Sequence, residues 1–241
     1  MQWIPLTSSL LSLFFTAFLV YLYTTTKEKN LLILSFGLLF YCISTATEFI
    51  IEAGGLNIFI YRLWYLTGAI FVAAYIAAGA VYSILPKNVR NPSLILLILA
   101  SLYAATTIFT FPIDITGMSG LTTSVLPVRV RTISPFFNIA AILTILIACF
   151  YELYLLSKKG TKVRTVISFF LIAAGMLLPG IGGITLRAGM PTSIYFYVLE
   201  LLGLIILYVG ILMGHVLTAN YWSMERNILD ETERYAKEET P

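Results

Sequence analysis

The chain has 241 residues, 59% hydrophobic and only 11% charged, with a mean hydropathy of +0.91 and a net charge of +3. Soluble domains carry roughly a quarter charged residues, so this composition excludes one and points to a bilayer protein. The small basic excess needs no nucleic acid, because Lys and Arg in loops orient a membrane chain and meet anionic headgroups.

Seven apolar segments follow, each long enough for a crossing of about 20 residues. The first runs from Trp3 to Tyr23 and stops at Lys27-Glu28-Lys29-Asn30. It lacks a basic n-region and reads as a retained helix rather than a cleaved signal. The second, Leu31 to Ile51, ends at Gly54-Gly55, and the third, Phe59 to Leu85, at Pro86-Lys87. The fourth covers Ser93 to Phe111. A longer connection, Thr116 to Thr132, contains Val125-Leu126-Pro127-Val128-Arg129-Val130-Arg131, whose alternation predicts a short hairpin over the bundle mouth. The fifth segment is Ser134 to Leu156. The sixth, Val166 to Leu186, is expected to break at Pro179, Gly180, Gly182 and Gly183, a candidate hinge. The seventh spans Thr192 to Thr218, and a polar tail runs from Ser223 to Pro241. The expected fold is an all-α seven-helix membrane bundle over residues 1–222, followed by a short polar helix or tail over 223–241.

Of the 15 Lys and Arg residues, 11 fall in loops one–two, three–four and five–six and in the tail. Arg62, Arg129, Arg131 and Arg187 lie on the opposite side. The excess of basic loops predicts the amino terminus outside and the carboxyl terminus in the cytoplasm. Trp3, Tyr61, Trp64 and Trp222 fall where interfacial aromatics are expected.

An ionisable group at membrane depth is costly and marks a site or half of a pair. On segment two, Tyr41, Ser44/Thr45, Glu48 and Glu52 share one helical face that must look into the bundle. Segment three opens with Arg62 at the same outer level, within reach of Glu48 or Glu52 across a short loop. Two readings stand side by side. One is a rim salt bridge, the other a charged gate to an outer-facing pocket; either makes Arg62→Ala costly. Glu200, about eight residues or on the order of 12 Å into segment seven, is expected to be the deepest carboxylate. It is a helix-gluing protonated carboxyl or a ligand anchor, with Tyr197 on its face and Asn138 near its level. Arg131 and Arg187 read as solvated rim residues.

His215 stands alone and reads as a packed histidine; two Cys, Cys42 and Cys149, lie inside apolar runs. No catalytic constellation, metal-ligand spacing, cofactor motif or disulfide framework follows, and an enzyme is not expected. Gly210-Ile211-Leu212-Met213-Gly214 matches GxxxG, a sign of close helix packing and weak evidence for dimerisation. The halves show no self-similarity, which argues against a transporter built on inverted repeats. The single Gln and the wealth of Ile, Tyr and Leu lean towards a thermophile.

Segment seven contains no Lys, so the retinal attachment of microbial rhodopsins has no counterpart. The chain instead resembles the seven-transmembrane amino-terminal sensor domain of prokaryotic histidine kinases. The likeness lies in Ala46-Thr47-Glu48, in Tyr61-Arg62-Leu63-Trp64-Tyr65-Leu66, in Leu177-Leu178-Pro179-Gly180 and in Pro191-Thr192. It departs from that pattern by ending 19 residues after Trp222, where a kinase would continue. The tail's Asp230/Arg234 and Glu233/Lys237 pairs suit a short helix that caps the bundle or docks on an inner partner.

The resemblance implies a multi-pass protein of the cell membrane acting as a stand-alone sensor. Its outer-half pocket would use Glu48, Arg62, Tyr65, Tyr197 and Glu200 to bind a small or lipophilic ligand. Its partners would be membrane lipids, that ligand, and a cytoplasmic signalling protein or a second copy; no nucleic acid is expected. The alternatives are proton, ion or solute transport through Glu200 and Glu48, and a structural subunit of a larger complex.

Overall fold

A computed structural model describes residues 3–82, 84–116, 121–159, 163–187 and 194–214. Seven of its helices are long and apolar enough to cross a membrane. They are α1 (Trp3–Thr26), α2 (Lys29–Gly54), α3 (Ile58–Tyr82), α4 (Lys87–Thr110), α5 (Ile133–Lys159), α6 (Val163–Arg187) and α7 (Ile194–Gly214). No strand occurs among the described residues. The architecture is therefore the all-α membrane bundle that the hydropathy pattern predicts.

The chain breaks where its local chemistry demands. Gly55 closes α2 with φ +88°, a backbone state that favours glycine, and its N–H bonds the Ile51 carbonyl at 3.0 Å. Two residues on, the Asn57 side chain caps α3 by accepting from Phe59 N at 2.8 Å and Ile60 N at 3.4 Å. Lys27 turns the chain between α1 and α2 with φ +60°.

The bundle has two buried clusters, one towards each end. The Lys27 end is filled by aliphatic residues from α1, α2, α3, α5, α6 and α7, among them Leu19, Leu34, Leu38, Ile76, Ile145 and Leu204. At the Trp3 end, Tyr61, Trp64, Tyr65, Ile108, Leu121 and Val130 form an aromatic-rich cluster. α2 and α3 are the most buried of the seven spans. α2 packs along α1 and α3, and α7 reaches α1 through the stacked rings of Phe15 and Tyr208, whose centroids lie 3.4 Å apart. α4 is peripheral. It buries only Ser101, Ala104 and Ile108, and leaves Leu96 and Tyr103 about two-thirds exposed, as suits a lipid-facing helix.

Two expectations change. Val125–Arg131 is no hairpin: Pro127 instead starts a single helical turn, Val128–Arg131. Leu126, Val130 and Ile133, at helical spacing, are all buried. α6 is not broken at Pro179 but runs through it. Tyr61 and Trp64 face the core rather than lipid, at 0% and 4% exposure. Finally, Gly210 and Gly214 face α6. A Cβ on Gly210 would sit 2.9 Å from Ile172 N, and Ser168 Oγ donates to the Gly210 carbonyl at 2.6 Å. The GxxxG face thus makes the close helix packing that the motif predicts, against α6. The Arg187 side chain, Pro191-Thr192, His215, Trp222 and the tail lie outside the described residues.

Candidate functional site

Glu48 and Glu200 organise the interior at the Trp3 end. Each lies six residues from the nearby end of its described helix, Gly54 for α2 and Ile194 for α7, about 9 Å along the axis. Both are buried, at 1% and 6% exposure, and their side chains lie against one another beside the same cavity. The expected difference in depth is absent: the two groups meet. Trp64 Nε1 donates to Glu48 Oε1 at 2.8 Å, and the Tyr41 hydroxyl donates to the Glu200 main-chain oxygen at 2.6 Å. Glu48 Oε2, Glu200 Oε2 and Ser44 Oγ are buried without a hydrogen-bond partner among the described residues.

A cavity of about 420 Å3 opens beside this pair, between α2, α3, α5, α6 and α7. Aromatic rings of Tyr41, Trp64, Tyr65 and Phe196 wall one part of it, and α5 and α6 supply an aliphatic wall. Ile139, Ile181 and Ile184 on that wall are more than half exposed, so the cavity reaches the membrane-facing surface between α5 and α6.

The wall contributed by α3 depends on a π turn over Thr67–Phe71. Such a wide turn displaces carbonyls from their helical alignment and recurs at functional sites. Here the Ala69 carbonyl accepts Ser134 Oγ at 2.7 Å and Asn138 Nδ2 at 2.9 Å, which fixes α5 against α3 at the cavity edge. Gly68 completes the turn; a Cβ there would collide with Ser44. On the far side, Pro179 has no N–H to give the Gly175 carbonyl four residues back. Gly203 of α7 comes close to this proline and carbonyl, and a Cβ at Gly203 would lie 2.8 Å from the Gly175 oxygen. Backbone irregularity is tolerated at membrane depth where it is buried or lines a cavity.

Of the residues singled out from the sequence, Glu48, Tyr65 and Glu200 line this one cavity. Tyr197 is buried behind it, donating its hydroxyl to Glu52 Oε1 at 2.9 Å. Arg62 is elsewhere. Its Nη1 and Nη2 donate to the carbonyls of Phe109 and Phe111, the latter at 2.8 Å, at the carboxyl end of α4. The expected salt bridge from Arg62 to Glu48 or Glu52 is not formed; the guanidinium caps a helix terminus, where a cation is favoured. Trp64 was missed as a site residue, although its spacing of 16 from Glu48 across a tight α2–α3 turn places both at one level. Ser134 and the π turn carried no signal in the sequence. No known protein-family model, curated protein or solved structure matches this chain.

Proposed function

We propose that this chain is a receptor-like membrane protein, without enzymatic activity, that binds a small lipophilic ligand in the cavity beside Glu48 and Glu200. The observation that carries the reading is a pocket in the bundle with a buried carboxyl pair at its floor and a mouth on the lipid side. Buried ionisable groups inside a bundle are costly enough to imply use, and a volume of about 420 Å3 suits a small molecule. The resemblance of its short sequence motifs to those of kinase sensor domains supports a signalling role. In that role ligand binding would shift α6 and α7 where Gly175, Pro179 and Gly203 touch, and a cytoplasmic partner would read the change. With the orientation predicted from the basic loops, the cavity lies in the outer half of a cell membrane.

Proton transport through the same carboxyls fits less well. Towards the Lys27 end, the described residues below the pair are an aliphatic plug that includes Leu34, Leu38, Ile76 and Leu207. That apolar packing disfavours a proton path, although Glu152 of α5 is a further buried carboxyl.

Native mass spectrometry of the purified protein tests the proposal. A stoichiometric small-molecule adduct is expected, and Ala73→Phe, which fills the cavity, removes it. A protein free of adduct whose proteoliposomes show proton flux abolished by Glu200→Gln would instead establish transport.

A further inference from the structure

The cavity's charge is one-sided. No Lys, Arg or His lines it among the described residues, and the one nearby guanidinium anticipated from the sequence, Arg62, caps α4 instead. Its acidic pair, however, is buried on α2 and α7 and has oxygens that receive no N–H or neutral O–H. Any negative charge the pair carries is buried with it. Such a charge in a low-dielectric bundle is expensive unless a counter-charge can reach it.

The walls narrow the identity of that counter-charge. A metal ion is a poor match, because hard cations such as Ca2+ take about six to eight oxygen ligands. Among the described residues, no third His, Cys, Asp or Glu joins Glu48 and Glu200 to form a metal-binding group. Trp64, Tyr65, Tyr41 and Phe196 instead present aromatic surface, which attracts organic cations over ring faces. The mouth between α5 and α6 opens on lipid, the phase from which an amphiphilic cation would arrive.

Resting on the ligand-binding reading above, we propose that the ligand is a small lipophilic monocation, an amine or quaternary ammonium bearing an apolar group. Its charge sits on the Glu48–Glu200 pair and its apolar part against the aromatic and aliphatic walls. No bond is made or broken. The ligand supplies the positive charge that the lining of the cavity lacks.

Equilibrium dialysis against the protein in nanodiscs, with empty nanodiscs as blank, tests this with two matched probes. Benzyltrimethylammonium carries the charge, and neopentylbenzene is its neutral isostere. Wild-type protein is expected to bind the cation at least tenfold more tightly than the isostere. Glu48→Gln and Glu200→Gln should each lose that preference. Glu52→Gln should keep it, because Glu52 lies behind the cavity with Tyr197. Equal binding of both probes would overturn the cation inference and leave a ligand-binding cavity standing. Retention of neither would overturn both readings. Should the Gln variants fail to fold, the wild-type preference alone decides.

Discussion

Arg62 shows how two residues of helical phase decide a partner. Trp64 bonds Glu48, so that side of α3 faces α2. A residue two positions away points about 200° around the helix, which turns Arg62 from the carboxylates towards α4. The sequence placed Arg62, Glu48 and Glu52 at one level, but level without rotation cannot choose between a carboxylate and a carbonyl. A double-mutant cycle distinguishes them. Arg62→Ala should cost about 1.5–3 kcal/mol in detergent unfolding, the range for hydrogen bonds to a charged group. Its coupling to Glu52→Gln should fall within about 0.5 kcal/mol of zero, as for residues that share no partner. A coupling of an ion-pair size would restore the salt bridge. The Glu48–Glu200 pairing was legible only in part: each was a costly group in an apolar segment, while their meeting depended on which helices are neighbours.

Among the elements, α6 and α7 are held by the absence of side chains. Gly203 lies against Pro179 and the Gly175 carbonyl, and Gly175 against the Leu207 backbone. Gly203→Ala should therefore destabilise by about 1–3 kcal/mol, the usual cost of overpacking. Gly180→Ala, where a Cβ meets nothing within 4 Å, should be neutral or stabilising by up to about 1 kcal/mol through helix propensity. Thermal unfolding of the two variants side by side checks the contrast, and equal effects would refute close packing at Gly203. The helices themselves were readable because hydropathy over some twenty residues is a strong signal. The continuation of α6 through Pro179 was not, since the neighbour that accommodates the proline lies more than twenty residues away. The alternation in Val125–Arg131 misled for a related reason. Leu126, Val130 and Ile133 also satisfy helical spacing, and burial against Tyr61 and Trp64 selected that option.

For the whole molecule, the distribution of basic loops makes a prediction about sidedness. In a background with Cys42 and Cys149 replaced by Ala, single cysteines at Ala53 and Asn88 lie on exposed positions at opposite ends of the bundle. On intact cells, a membrane-impermeant maleimide should label Ala53→Cys and spare Asn88→Cys. The reverse pattern would invert the molecule and move the cavity to the cytoplasmic half. The seven spans and their order were readable from the chain. The division of the interior into an aliphatic end and an aromatic end was not, because it arises from residues far apart in sequence.

The π turn at Thr67–Phe71 gives this division a mechanical meaning. It inserts extra winding between the part of α3 that carries Trp64 and Tyr65 and the part that carries Ile76 and Ala77. Loss of one residue there would close it to an ordinary turn and swing the lower part by about 100° relative to the upper. The helix therefore behaves as two dials on one shaft. Both dials face the cavity, Trp64 and Tyr65 from the upper and Ala73 and Ile76 from the lower, so the turn sets how the two parts of that wall meet.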